Sequence, residues 1–393
     1  LDVPPAAHLS RATALLQQLG ALDKTARITP HGRYMLQFGT HPRLAHMMLN
    51  AQPLGAAALA CELAALLGVR DPLATAGGGD ADITLRVELL RNIGTVTAAS
   101  AGLLKQIRAT ASRWQRQLGC EPHPADHSDL SMAGVLLAFA YPDRIARRRP
   151  GANNRFIMSN GRGALFVEAE PLAAEDMIVA AHLDGSREAR IFLAASVQAE
   201  QLRELHAALL TEVTHVSWDE RAQCVQARRQ LRIGELVLED QPWQEADPQA
   251  IARVLLSGIR SQGVTALPWN AASRELQARL CFMHRMAPGS WPDASDTALL
   301  ESLETWLLPW ITGMSRLSHL RRVDLHAALQ APLDWSKQRQ LDEQAPTHLL
   351  VPSGSRVRLD YRQATPVLAV RLQELFGLAD TPCIAGGREP VLL

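Results

Sequence analysis

The sequence predicts a multidomain α+β protein, and three observations lead to that fold class. The chain has 393 residues, more than one compact core usually holds, so two to four domains are expected. Apolar residues recur at helical spacing through the first third, whereas several short β-like segments crowd into the fifty residues after position 150. From about residue 206 the chain alternates again between β-rich and helical segments.

The pattern of residues 1–52 predicts a winged helix. A first helix, ended by Gly20, carries an apolar face made of Leu9, Ala12, Leu16 and Leu19. A short β-like piece at 27–29 precedes a helix from Pro30, whose inward residues are predicted to be Tyr34, Met35 and Phe38. A third helix covers 43–48. Winged helices read nucleic acids or serve as passive spacers, and the sequence leaves both uses open.

Residues 53–128 predict a helical bundle followed by a linker rich in Pro and His. Asp82 is the expected N-cap of one bundle helix. The clearest helix covers 98–118, and its apolar sector holds Leu104, Ile107, Ala111, Trp114 and Leu118. Basic residues occupy its other side and flank: Lys105, Arg108, Arg113 and Arg116. That side is either an ordinary solvated face or a cationic stripe that follows a phosphate backbone.

Residues 129–205 predict a helix and a small barrel of the oligonucleotide-binding (OB) type. An apolar helix at 130–140 precedes the β-like segments 155–159, 163–168, 177–183 and 190–196. Asn160-Gly161 and Asp184-Gly185 are hairpin signals between them. Barrels of this type bind single strands on one face through basic and stacking residues.

The start of this barrel region contains the main candidate binding site. Six arginines crowd into residues 141–164, namely Arg144, Arg147, Arg148, Arg149, Arg155 and Arg162. Because the chain carries no net charge, such a concentration predicts a local purpose, and guanidinium groups bind phosphate bidentately. Two alternatives stay open: the segment is a solvated basic loop, or its members Arg144 and Arg147 satisfy helix-end carbonyls or pair with Asp143.

Composition excludes several classes of protein. Zero net charge argues against a bulk electrostatic nucleic-acid binder. No apolar run reaches the roughly 18 residues of a membrane span, so no membrane partner is expected. Five scattered cysteines favour a reducing cytoplasm. A zinc site at Cys120, His123 and His127, with Cys281 and His284 much later, is disfavoured by the prolines inside the first cluster, and we expect no metal.

The residues also argue against a self-contained catalytic site. No lysine follows a glycine, so a phosphate-binding loop of the Gly-Lys-Ser/Thr type cannot form. The segment around Ser353 resembles a nucleophile loop only loosely and lacks a paired base. We therefore predict no catalytic residue and no cofactor site in this chain.

The order of these segments resembles the region that follows the motor in DEAH-box helicases. The resembling stretches near the start are 12–22 (ATALLQQLGAL), 28–33 (ITPHGR) and 41–45 (HPRLA). Residues 141–149 (YPDRIARRR) and 160–164 (NGRGA) resemble one bacterial branch, the HrpB family of ATP-dependent RNA helicases. So do 303–309 (LETWLLP), 333–335 (LDW), 351–355 (VPSGS) and 368–377 (LAVRLQELFG).

The resemblance implies an accessory half of a helicase. It implies a winged helix, a ratchet-like bundle, an OB-like barrel and a family-specific α+β domain at 206–393, truncated at its end. It further implies that RecA-like motor domains, which bind ATP and magnesium, are absent from this chain, that the chain alone is inactive, and that it is cut at both ends. The arginines and the basic side of helix 98–118 would then line one channel for single-stranded RNA.

A second hypothesis, of a different class, comes from the last domain. Tryptophans are frequent beyond residue 206 in its helical and β segments, among them Trp243, Trp269, Trp291, Trp306, Trp310 and Trp335. Tryptophans at helical spacing, such as Trp306 and Trp310, usually belong to a core. Exposed ones would instead predict a surface that docks a protein partner. Helices are expected in this domain near 248–260, 273–286 and 296–312.

Overall fold

The computed structural model describes residues 5–73, 80–92, 98–120, 128–378 and 380–393. Most of the predicted linker, with His123 and His127, lies outside these ranges. The chain divides into two compact units. The first comprises Leu1–Val213 and Gln230–Asp240, and the second comprises Thr214–Arg229 and Gln241–Leu393.

The first unit begins with a predominantly helical part. Its helices are α1 (Ala6–Gln18), α2 (Pro30–Leu36), α3 (Pro42–Ala51), α4 (Ala57–Leu67), α5 (Ile83–Arg91) and α6 (Ala98–Leu118). Local chemistry explains several starts: Thr29 caps α2 by accepting from the Gly32 amide, and Asp82 caps α5 through the Thr84 amide, as predicted. The β-like piece before α2 forms a single antiparallel bridge between Leu22 and Ile28.

The apolar faces of these helices agree in part with the sequence pattern. The predicted sector of α6 is confirmed, since Leu104, Ile107, Ala111 and Trp114 are buried. Two predictions for the first helices were wrong. Leu9 is 55% exposed, because α1 reaches the core only through its last turn and Leu19. Tyr34 is 59% exposed, because it lies about 100° around the helix from the buried Met35.

A closed five-stranded barrel follows the helices in the same unit. A short 3₁₀ turn (Ser128–Met132) and α7 (Ala133–Ala140) precede it, and α8 (Ala199–Leu205) follows it. The strands are β1 (Ile145–Arg148), β2 (Arg155–Met158), β3 (Gly163–Leu165), β4 (Met177–Leu183) and β5 (Ala189–Ser196). Their order around the barrel is β1-β2-β3-β5-β4, closed by the antiparallel β1–β4 pair, with β3 and β5 parallel.

The barrel confirms the four predicted strands and adds a fifth. Strand β1 lies inside the arginine segment, where two buried residues, Ile145 and Ala146, precede two arginines. This pattern has neither alternation nor a β-rich run, so the sequence analysis predicted no strand there. The barrel core is filled by Phe156, Phe166 and Ile178, together with smaller side chains. The Asn160-Gly161 hairpin turn is present, with Gly161 at φ +81°.

A three-stranded sheet leads into the second unit. Its strands are β6 (Leu210–Asp219), β7 (Cys224–Ile233) and β8 (Leu236–Pro242), in that order. The helices beyond it are α9 (Pro248–Gln262), α10 (Ala271–Met286), α11 (Asp296–Glu301), α12 (Leu303–Trp306), α13 (Leu308–Ile311), α14 (Leu325–Gln330) and α15 (Trp335–Gln344). The predicted helix at 296–312 is thus three short helices, and Pro309 in the first turn of α13 is compatible only with such a restart.

The second unit ends in two small sheets. Strands β9 (His348–Leu350), β10 (Arg356–Asp360) and β11 (Val367–Leu368) form a sheet with the order β11-β10-β9. Strands β12 (Cys383–Ile384) and β13 (Glu389–Pro390) form the other. The hydrophobic core of the second unit includes Leu255, Phe282, Trp291 and Trp306. Across the described parts of both units, no helix combines the length and the apolar character that spanning a membrane requires.

Candidate nucleic-acid interface

A large basic cleft lies within the first unit, between its helical part and the barrel. Its volume is about 1030 Å³. The start of α3, the end of α4 with residues 66–73, and α5 form one side, and the outer surface of β4 and β5 forms the other. Five arginines face three carboxylates there: Arg43, Arg70, Arg86, Arg144 and Arg190 against Asp71, Glu168 and Glu170. Among the residues that line the cleft, the arginines therefore outnumber the carboxylates by two.

Two of these arginines hold the cleft together where the helices meet the barrel. The Arg43 guanidinium donates to both carboxylate oxygens of Asp143, at 2.6 and 3.0 Å, and to the Ala140 carbonyl at 2.8 Å. Arg144 donates to the Ala181 carbonyl at 2.9 Å and lies over the Tyr141 ring, 4.7 Å from its centroid. Burial lowers the pKa of Arg144, although Asp143 opposes the shift. Both side chains are largely engaged in structure.

Acidic partners engage the helical side of the cleft. Arg86 is buried and pairs with Asp71 at 2.9 Å. Glu170 accepts from the Ala81 amide at 2.9 Å, and burial raises the pKa of its carboxyl. The two arginines of the cleft that are exposed are Arg70 and Arg190. Of these, Arg190 lies 3.9 Å from Asp184 in a loose, solvated pair. Arg70 and Arg190 are therefore the best-placed side chains to meet an anion.

The predicted arginine segment divides into structural and exposed members. Arg147 donates to the Val237 carbonyl at 2.8 Å and lies 3.3 Å from Asp176, so it ties β1 to β8. Arg148 is half-buried at the end of β1. The sequence-based alternative for Arg144 and Arg147 is therefore confirmed only in part, because the carbonyls that they satisfy belong to strands β4 and β8 and not to a helix end.

The other three predicted arginines converge on one loop. Arg162 donates to the Ser186 carbonyl at 2.6 Å, and Arg155 lies 3.8 Å from Glu188. The Arg149 guanidinium lies beside Gly163, which Glu188 also approaches. All three arginines are exposed. They form a basic rim, defined as Arg149, Arg155 and Arg162, beside the β4–β5 hairpin.

The basic residues of α6 lie elsewhere. Arg108 donates to the Arg91 carbonyl at 3.0 Å and so satisfies the end of α5. Arg113 lies over the ring of Trp114, and Arg116 donates to the Ser112 carbonyl within its own helix. Lys105 is exposed. Among the described residues that line the cleft, none belongs to α6, so the two predicted sets of cations do not meet there.

The sequence reasoning missed the exposed residues of the cleft. Among them are Arg70, Arg190, His182 and Phe192. A signal for two of them was present, because Arg190, Ile191 and Phe192 alternate within a predicted strand, and such alternation places the arginine and the phenylalanine on one face. Arg70 carried no comparable signal, since it follows the end of α4 in a loop.

A second, smaller cavity in the same unit contains three histidines. Its volume is about 450 Å³. His31 and His46 approach to 2.8 Å between ring nitrogens, and the His206 ring lies 3.0 Å from the Val135 carbonyl. Burial lowers the pKa of His46 and of His206 to about 4 in each case. In the part of the chain that the structure describes, no set of three or more His, Cys, Asp or Glu side chains is arranged to hold a metal ion.

The tryptophans of the second unit mostly belong to its interior. Trp291 and Trp306 are buried, and Trp243 and Trp269 are half-buried. Trp310 is 38% exposed, against the expectation that it joins the core with Trp306, and Trp335 is 76% exposed at the first turn of α15. Of the six tryptophans on which the docking hypothesis was based, only Trp310 and Trp335 are exposed enough to contact a partner.

Comparisons with known proteins agree with the resemblance seen in the sequence. Residues 306–393 match the family described as "ATP-dependent helicase C-terminal". Residues 209–243, which include the whole β6–β8 sheet, match "ATP-dependent RNA helicase HrpB, connector region". The ATP-dependent RNA helicase HrpB of Escherichia coli K12 is 36% identical over 398 residues, which cover the whole of this chain. The chain spans only 46% of the length of that relative.

Solved structures give the same correspondence. A crystal structure of the E. coli DExH-box NTPase HrpB matches with a TM-score of 0.52 and 36% identity, over 99% of this chain and 46% of that one. A crystal structure of the E. coli DEAH/RHA helicase HrpB matches with a TM-score of 0.51 and 32% identity, over 99% and 47%.

Proposed function

Because this chain belongs to the HrpB family of ATP-dependent RNA helicases and matches its C-terminal portion, we propose that it binds single-stranded RNA for the family's ATP-driven motor. The chain holds the strand, while RecA-like motor domains of the same parent protein, which bind ATP and magnesium, supply the movement. On this proposal the chain alone binds RNA and does not hydrolyse ATP, and it works in the cytoplasm.

The finer domain assignment belongs to the same proposal. Residues 1–52 act as a winged helix, 53–128 as a ratchet-like bundle with its linker, 129–205 as an OB-like barrel with its helix, and 206–393 as the family-specific domain. The strand order of the barrel, with a 3₁₀ helix (Pro171–Ala174) between the third and fourth strands, supports the OB assignment. The helix, bridge and helix of α1 to α3 support the winged helix.

The observation that carries the proposal is the basic cleft of about 1030 Å³ on the outer surface of the barrel. Barrels of this type bind single strands in positively charged grooves that also contain stacking residues. The exposed Arg70 and Arg190 contact phosphates inside the cleft. The basic rim extends the path along the barrel. Arg43, Arg86, Arg144 and Arg147 shape the site rather than bind the strand, because protein atoms already engage their guanidinium groups.

The other predicted residues keep a lesser role. Lys105, Arg113, Arg116 and Arg148 contribute long-range attraction, and Arg108 chiefly caps α5. Contacts between arginines and the phosphate backbone of RNA give affinity without sequence preference and make binding strongly dependent on salt.

Salt titration of RNA binding tests the proposal. The dissociation constant of a fluorescent single-stranded RNA of roughly eight nucleotides is measured by anisotropy across a salt series. Each phosphate contact contributes a slope of about 0.7 to the plot of log affinity against log salt for a single strand. We expect the Arg70→Gln/Arg190→Gln variant to bind more weakly and its slope to become shallower by about 1.4.

The matched control is Arg253→Gln on α9, an exposed arginine of the second unit. It loses one charge from the chain without touching the cleft, so its affinity and slope should equal those of the wild type. Absence of RNA binding by the wild type, or an equal slope for the cleft variant, would overturn the proposal.

A further inference from the structure

An aromatic pair stands on the barrel wall of the basic cleft. The rings of Phe192 on β5 and His182 on β4 are 5.3 Å apart between centroids and inclined by 44°. Phe192 is 48% exposed even with this neighbour against it. Its position follows from strand alternation: Ile191 and Leu193 point into the protein, and Phe192 and Arg190 point out toward the cleft.

The fold of the barrel does not require an aromatic residue at this position. The barrel interior is already filled by Phe156, Phe166 and Ile191, and Phe192 takes no part in it. Two further exposed apolar side chains, Val69 and Val167, line the same cleft. Apolar surface left in water beside exposed guanidinium groups is typical of a binding site rather than of a solvated face.

The chemistry of the cleft defines the class of ligand that fits it. A flat aromatic ring favours a ligand with a π-face, and exposed arginines favour a ligand with negative charges next to that face. A nucleotide within a single strand combines both features, since every base has a π-face and every linkage carries a phosphate. Base pairs hide these faces in a duplex, so an unpaired strand fits the site better.

We propose that Phe192, supported by His182, is a platform on which one nucleobase of single-stranded RNA stacks, while Arg190 and Arg70 contact the phosphates next to it. This inference rests on the proposed RNA-binding function and adds to it a site that reads the presence of a base. Stacking of this kind tolerates any base and resists salt, whereas the arginine contacts weaken as salt rises.

Two oligonucleotides that differ only in their bases distinguish the contribution of the bases to binding from that of the phosphate backbone. One is an ordinary single-stranded RNA of roughly eight nucleotides, and the other has the same length and charge but abasic residues throughout. Both are titrated at one salt concentration against four proteins: the wild type, Phe192→Ala, Phe192→Trp and Phe376→Ala. Phe376 is the matched control, because it is a phenylalanine of the second unit that is 71% exposed.

For the wild type, we expect the ordinary strand to bind about tenfold more tightly than the abasic one, as the loss of one stacked base predicts. Phe192→Ala should bind both strands at the abasic level, so that the ratio falls to about one. Phe192→Trp and Phe376→Ala should keep the wild-type ratio. Far-ultraviolet circular dichroism checks that each variant is folded, which the half-exposed position of Phe192 favours.

The outcomes distinguish the two proposals. If the wild type binds the strands and Phe192→Ala keeps the wild-type ratio, the stacking platform is wrong and RNA binding stands. If Phe192→Ala weakens both strands equally, the side chain does not recognise the base, and the platform is wrong as well. If the wild type binds neither strand, the proposed function fails. Binding of an acidic peptide in place of RNA would also overturn the inference.

Discussion

Replacing Gly134 by alanine should strongly destabilise the first unit, although alanine is the better helix former. Gly134 lies in α7, where that helix meets the end of β5. An ideal Cβ at this position would stand 1.9 Å from the Ser196 carbonyl oxygen and 3.0 Å from Cβ of Val197. Cβ atoms essentially never approach other atoms closer than 3.0 Å, so α7 and β5 must separate by at least about 1.1 Å.

The packing around α7 makes a separation of α7 from β5 by that distance energetically costly. Residues 133–138 and 140 of α7 are all buried, and the helix packs against α3, β4 and β5. Overpacking of a rigid interior costs about 1–3 kcal/mol and sometimes more. Alanine recovers about 1 kcal/mol from helix propensity. Because the obstacle is a backbone carbonyl, we expect a gross cost of about 4 kcal/mol, above the usual range, and hence a net loss of about 3 kcal/mol, or roughly a 150-fold shift of the unfolding equilibrium.

Fluorine NMR of fluorotryptophan-labelled protein during urea unfolding measures this loss in each unit separately. Trp114 is the tryptophan of the first unit, and the other seven belong to the second. The Trp114 resonance of Gly134→Ala should reach its midpoint about 1 M lower in urea than in the wild type. The resonances of the second unit should not move.

At a matched glycine of the same unit, substitution by alanine should increase the free energy of unfolding instead of lowering it. Gly102 lies within α6, is exposed, and a Cβ there would meet no atom within 4 Å. Gly102→Ala should therefore stabilise the unit by about 0.5–1 kcal/mol. If Gly134→Ala loses less than about 1 kcal/mol, the close approach of α7 to β5 does not have the energetic role assigned to it.

Two further predictions concern pH and catalysis. His206 is buried with its pKa lowered to about 4, below its unfolded value near 6.5, so the unfolded chain binds more protons between these values. The first unit should lose stability as pH falls from about 6.5 to 4, by up to about 1.4 kcal/mol per pH unit from this group. His206→Gln should reduce that slope in urea titrations at several pH values, and an unchanged slope would contradict the assignment. We also expect the chain to release phosphate from ATP only at the background rate, with or without RNA, in a colorimetric assay; RNA-stimulated turnover would refute the absence of a motor.

Elements with a strong local pattern were predictable from the sequence. The apolar stripe of α6 and the cap at Asp82 depend on residues within a few positions of each other, as do β2 to β5 and the Asn160-Gly161 turn. The interactions that determine such features join residues that are close together in the sequence, so a local pattern is enough to predict them. The family was predictable for a related reason, since runs such as 141–149 are specific without any knowledge of their contacts.

Features that depend on distant partners were not predictable in the same way. Strand β1 is a strand because β2 and β4 pair with it on both sides, not because its own residues alternate. Tyr34 and Leu9 are exposed because they lie on helix faces that point away from the core.

The candidate site shows the same division most clearly. Composition and spacing identified a concentration of arginines but could not assign their partners, since Val237 lies ninety residues beyond Arg147 and Asp143 a hundred beyond Arg43. Folding commits some guanidinium groups to carbonyls and carboxylates and leaves Arg70 and Arg190 exposed in the cleft that Phe192 also lines. The sequence by itself determines where the arginines lie along the chain. Only the tertiary structure determines which of them can bind a ligand, because contacts between distant residues decide which guanidinium groups already have partners.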